Sequence, residues 1–84
     1  MKYELVYTRR AVKDIQKLDV DNKERIEKTL LRYRQNPLVY AEKLTDAQLG
    51  TYRFRVGDYR VVFDVENNEI VILRVGHRRD IYKR

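Results

Sequence analysis

The chain has 84 residues, 38% of them charged, a formal net charge of +6 at pH 7 and no cysteine. That length is enough for one domain, 1–84, and buries only a modest share of its surface, so a partner covering part of it would add stability. The missing cysteines exclude disulfide staples and thiolate chemistry; with no apolar signal region in Met1-Lys2-Tyr3-Glu4-Leu5 and no run long enough to cross a bilayer, a soluble cytoplasmic protein with no membrane partner is expected.

Residues 2–7 alternate, with Tyr3, Leu5 and Tyr7 on one side and Lys2, Glu4 and Val6 on the other, which predicts a first strand. Thr8 is placed to cap a helix beginning at Arg9, in which Ala11, Val12, Ile15 and Leu18 recur at helical spacing. Asp21 and Glu24 have capping-box spacing, with Asp in place of Ser or Thr. A second helix follows, with Ile26, Leu30 and Tyr33 on its inner face, and Asn36-Pro37 ends it. Little chain separates the two helices, so they are expected to form a hairpin.

Residues 38–49 show no period, although Leu38, Val39, Tyr40 and Leu44 can pack; a loop with one helical turn is expected, and Glu42 and Lys43 read as ordinary loop charges. Residues 51–56 alternate again, with Tyr52, Phe54 and Val56 against Thr51, Arg53 and Arg55. Gly57-Asp58 signals a tight turn, and Tyr59, Val61, Phe63 and Val65 continue the inward pattern. Asn67-Asn68 marks a second turn, before a run at 69–75 rich in β-branched side chains. The fold class is therefore α+β: an N-terminal strand, a two-helix hairpin and a three-stranded antiparallel meander. The helices cover one face of the sheet, and an arginine-bearing face stays open.

Arg53 and Arg55 are two apart in one strand and point the same way; Arg60, out of phase with Tyr59, Val61 and Phe63, joins them. From Arg74 onward there are five basic residues, Arg74, Arg78, Arg79, Lys83 and Arg84, against the single acid Asp80. Either strand arginine alone reads as an ordinary solvated position. Three arginines converging on a basic stretch that also carries Tyr82 read as an oxyanion cleft, because the guanidinium fork binds phosphate oxygens bidentately and keeps its charge. The net charge points the same way, towards polyanions. His77 is the only histidine. Histidine ordinarily titrates near neutrality, so it is the general acid–base candidate, with a structural hydrogen bond at the strand end as the alternative. Asp58 reads as a turn residue or an arginine partner. Nothing resembles a metal site, a P-loop or a nucleophile triad, and no cofactor is expected.

The stretch Tyr52-Arg53-Phe54-Arg55-Val56-Gly57-Asp58-Tyr59-Arg60-Val61-Val62-Phe63, followed by Val75-Gly76-His77-Arg78-Arg79-Asp80-Ile81-Tyr82, resembles RelE-type toxins of type II toxin–antitoxin modules, within the RelE/ParE superfamily. The resemblance covers nearly the whole chain. It implies a ribosome-dependent, metal-independent endoribonuclease that cleaves messenger RNA in the A site, with a cognate antitoxin as partner and operator DNA reached only through that antitoxin. It also implies that Arg60 and Arg78 hold the scissile phosphate and that Arg53 and Arg55 position the backbone. Tyr82 would stack on a base, orient the sugar or shuttle a proton, although a phenol is a poor base at neutral pH. Arg74, Arg79, Lys83 and Arg84 are expected to add RNA or ribosome contacts. Where ribosome-dependent members carry two strand lysines this chain has Arg53 and Arg55, and an arginine cannot act as a general base. Two alternatives remain: a ParE-like gyrase inhibitor, and an inactive relative that only binds antitoxin or ribosome.

Overall fold

The computed structural model describes residues 2–45 and 48–82. Strand β1 (Glu4–Tyr7) leads into helix α1 (Arg9–Gln16), helix α2 (Val20–Tyr33) and the single turn α3 (Pro37–Tyr40). Strands β2 (Glu42–Lys43), β3 (Tyr52–Val56), β4 (Tyr59–Glu66) and β5 (Glu69–His77) follow. All five strands form one sheet in the order β1-β5-β4-β3-β2. The β3–β4 and β4–β5 pairs are the expected antiparallel meander, and β1 lies parallel to β5. The α+β class holds. The sheet gains β2, which pairs Glu42 with Arg53 and Lys43 with Tyr52, where a loop was expected. Two residues are too few to show a period.

Thr8 does cap α1: its hydroxyl oxygen accepts from the Ala11 N–H at 3.2 Å, and its O–H donates to the Ile72 carbonyl at 2.9 Å. The helix start is thereby tied to β5, where β1 runs out. Beyond that point α1 takes over the β5 edge: Asp14 Oδ2 accepts from the Val75 N–H at 3.0 Å and from Arg74 Nε at 2.8 Å. A carboxylate thus satisfies an edge amide that no strand reaches.

Two helix limits differ from the sequence reading. α1 ends at Gln16, so Leu18 lies past it, and α2 is capped by Asp19 rather than Asp21. Asp19 is extended (φ −68°, ψ 162°), the conformation a cap requires, and accepts from the Asn22 N–H and side-chain amide. Asp21 is already helical and sits in the first turn, where its charge complements the helix dipole.

The core lies between the helices and one sheet face. Ala11, Ile26, Leu30, Phe54, Val61, Phe63, Ile70 and Ile72 are all buried there. Phe54 and Phe63 stack with centroids 4.1 Å apart, an arrangement that contributes about 0.5–1.5 kcal/mol beyond area burial. The opposite face is not left fully open. Gly50 rests on it so closely that a β-carbon there would sit 2.6 Å from Val62 Cγ1, and Ile81 folds back over Gly76. Val62 and Ile81 are buried as a result.

Candidate active site

Cross-strand register puts Glu42, Arg53 and Val62 in one row and Arg55, Arg60 and Gly76 in the next, all on the face away from the helices. The expected arginine face therefore exists, and it carries a carboxylate that the sequence reading took for a loop charge. Glu42 Oε1 lies 3.0 Å from Arg53 Nε and 2.7 Å from Arg55 Nε. Arg53 Nη1 donates to the Tyr82 hydroxyl at 2.8 Å. The four side chains form one chain of contacts, Arg55–Glu42–Arg53–Tyr82. Hydrogen bonding from Arg53, aided by the charges of Arg55 and Arg53, holds the Glu42 carboxyl below the usual carboxylate range. The bond to Tyr82 and the Glu42 pairing raise Arg53 further above its ordinary value, so its charge is secure. Beside this cluster Leu44, Thr45, Leu49, Arg53 and Tyr82 line a hollow of about 310 Å³.

The other expected residues are placed less uniformly. Arg60 shares the face, but it is 91% buried, and its Nη1 donates to the Gly57 and Tyr59 carbonyls at 2.9 Å each. Part of its donor set therefore braces the β3–β4 turn. Arg78 is exposed at the same end, with its backbone N–H on the Asp58 carbonyl at 2.8 Å and its Nε 3.8 Å from the Asp58 carboxylate. Asp58 is thus both a turn residue and an arginine partner. His77 pairs in register with Tyr59 and sits edge-on to its ring, on the helix-covered side. Its Nδ1 accepts from the Arg79 N–H at 3.1 Å, which is the structural hydrogen bond named above as the alternative. It is not brought to the Arg53–Tyr82 cluster. Arg74 is held by Asp14 at the sheet edge, and Arg79 is exposed past β5. Lys83 and Arg84 lie outside the described residues.

Chemically, the cluster combines fixed cations, an ionised carboxylate and a phenol on one surface, a set suited to an anion whose reaction also moves protons. Among the described residues, no group of His, Cys, Asp or Glu has the arrangement of a metal site, and no helix is long and apolar enough to cross a membrane.

Known proteins share both sequence and fold with this chain. The family model for the ParE toxin of the type II toxin-antitoxin system, parDE, matches residues 5–82. Toxin RelG of Mycobacterium tuberculosis is 34% identical over 91 aligned residues that cover 100% of both chains. Among solved structures, the toxin–antitoxin complex RelBE2 from Mycobacterium tuberculosis contains a chain that superposes with a TM-score of 0.83 at 27% identity, covering 93% of this chain and 100% of that one. The free E. coli toxin RelE, as a double arginine-to-alanine mutant, gives 0.79 at 26% identity, with 98% and 92% covered. The chain belongs to the RelE/ParE superfamily of type II toxin–antitoxin toxins.

Proposed function

We propose that this toxin is a ribosome-dependent, metal-independent endoribonuclease that cleaves messenger RNA in the A site and so inhibits translation. The observation that carries the reading is the Arg55–Glu42–Arg53–Tyr82 chain of contacts on the exposed sheet face. The reaction is attack of an RNA 2′-hydroxyl on the adjacent phosphorus, with expulsion of the 5′-oxygen. Arg53 and Arg55 bind the backbone, while Arg78 and the remaining donors of Arg60 take non-bridging oxygens at the turn end of the face.

Glu42 supplies the base that neither strand arginine can be. Free of substrate, its carboxylate is stabilised by two guanidinium groups and is a weak base. When a phosphate takes those donors, the interactions that lower its pKa are lost. The carboxylate then becomes a better acceptor for the 2′-hydroxyl proton just when the nucleophile is present. Tyr82 accepts from Arg53, which leaves its O–H free to donate towards the departing oxygen. With no module that reads RNA by itself, the ribosome would present the codon.

A cognate antitoxin is the second partner, by analogy with the RelBE2 complex. Its surface would be the groove between α1 and α2, where Tyr7, Val12, Ile15 and Leu31 line about 450 Å³. Val12 is 41% and Leu31 53% exposed, which leaves apolar area for a folding segment to cover. Operator DNA would be reached only through that antitoxin.

The test is primer extension on a defined message in translating ribosomes, with naked RNA, Arg78→Ala and Glu42→Gln as controls. Codon-phased cuts are expected only with ribosomes, and Glu42→Gln should lower their rate by about 10²–10⁴-fold without weakening RNA binding. The ParE family match favours a second reading, inhibition of gyrase. Absent cuts with impaired supercoiling would establish it, and absent cuts with growth unaffected would mark an inactive antitoxin binder.

A further inference from the structure

Helix α2 carries a cationic feature that the cleft does not use. Arg25, Lys28 and Arg32 recur at i, i+3 and i+7, one stripe spanning about 10 Å of helix axis. The stripe faces the β3–β4 turn across a groove of about 330 Å³, bounded on the far side by Arg55, Val56 and Gly57. Gly57 has φ +59°, and its missing side chain admits the Arg25 guanidinium: a β-carbon there would lie 2.7 Å from Nη1 and 2.8 Å from Nη2. Next along the stripe, the Arg32 guanidinium sits 5.3 Å from the Tyr33 ring centroid.

No carboxylate lines this groove, and the ion pairs among the described residues do not include Arg25, Lys28 or Arg32. Asp21 and Glu24, one turn upstream on α2, do not reach into it. Converging like charges repel each other in the free protein, and a polyanion relieves that repulsion. The lining also argues against a folding acidic peptide, which needs apolar anchors. Val56, the aliphatic side chain here, is 4% exposed, and the accessible aliphatic surface lies on the α1–α2 groove instead.

We propose that this groove is a docking track for RNA phosphates, which seats the toxin on the folded RNA of the ribosome while the opposite sheet face takes the message. The inference rests on the ribosome-directed reading above. Arg55 borders both surfaces and would set their relative register.

The test measures equilibrium binding to vacant ribosomes, which carry no message to cut, across salt concentrations and in the slow-cutting Glu42→Gln background. Adding Lys28→Gln and Arg32→Gln should weaken binding about tenfold or more near physiological salt. The log–log salt slope should become shallower by about 1.4–1.8, because each of the two phosphate contacts contributes about 0.7–0.9. An unchanged thermal midpoint shows that the variant is folded, and Lys28→Arg with Arg32→Lys should restore binding. With Glu42 intact, the Lys28→Gln/Arg32→Gln protein should cleave at an unchanged rate on saturating ribosomes, with a raised half-saturation concentration. Unaltered affinity and slope overturn the proposal. So does loss of binding to a polyglutamate peptide with ribosome binding intact, since the track would then serve an acidic protein. If the parent protein never cleaves yet its ribosome binding depends on this pair, the nuclease reading fails and the docking track stands.

Discussion

Two guanidinium groups hold the Glu42 carboxylate, and that pairing shapes the acid limb of stability. Its folded pKa is lowered, so the stabilisation is present above the ordinary glutamate range and is lost as pH falls through the folded value. Tyr7 works in the other direction. Burial, then the nearby Glu27 charge, raises its phenol, so its contribution is complete below about pH 10 and is lost as pH rises through the folded value. Denaturant midpoints followed against pH should show a flatter acid limb in Glu42→Gln and a flatter alkaline limb in Tyr7→Phe. An acid limb identical to that of the parent would mean that Glu42 is not paired in solution. Arg53, Arg55 and Arg60 were readable from strand alternation and the turn signal. Glu42 was not, because the two residues of β2 carry no pattern. The side of the sheet that His77 takes was hidden for a related reason: an unbroken alternation from Ile70 and Ile72 would aim it at the arginine face. Val62 pairs with Arg74 and Phe63 with Ile72, so Leu73 is an extra residue that reverses every later side chain.

At the scale of elements, α1 acts as the continuation of a strand. β1 pairs with β5 only as far as Tyr7 opposite Ile72, and Asp14 then supplies the acceptor for Val75 while binding Arg74. Its side chain is 10% exposed, so removing it strands a partly buried guanidinium and an edge amide. Asp14→Ala should cost about 2–3 kcal/mol, in the range for hydrogen bonds to charged groups, read as a lower midpoint in urea. A midpoint within error of the parent would show that water replaces the carboxylate. The helix pair and the meander were legible in the sequence because each repeats a local period, and Thr8 because a capping hydroxyl stands directly before the helix it caps. The sheet-edge role of α1 was not, since it depends on contacts between residues about sixty positions apart. The same applies to the cover over the arginine face: nothing local marks Gly50 as the residue that rests on Val62.

The whole molecule carries +6, and both of its proposed RNA surfaces concentrate that charge. Self-repulsion of this kind destabilises the compact state and is screened by salt. Added sodium chloride should therefore raise the thermal midpoint while it weakens ribosome binding. A midpoint that falls with salt would show that the Glu42 and Asp14 pairs outweigh the repulsion. Salt thus separates what holds the fold together from what would hold it to RNA.

The parallel pairing of β1 with β5 also bears on time. Glu4 meets Glu69 and Tyr7 meets Ile72, so this part of the sheet closes a loop of about 65 residues. Long-range closure of that kind slows folding, because chain entropy is lost before the contacts that reward it can form. β1, α1 and the carboxylate of Asp14 therefore wait for β5 to be synthesised. A chain caught partway through synthesis has Arg53 and Arg55 on β3 and no completed sheet to hold them, so the arginine face is assembled late.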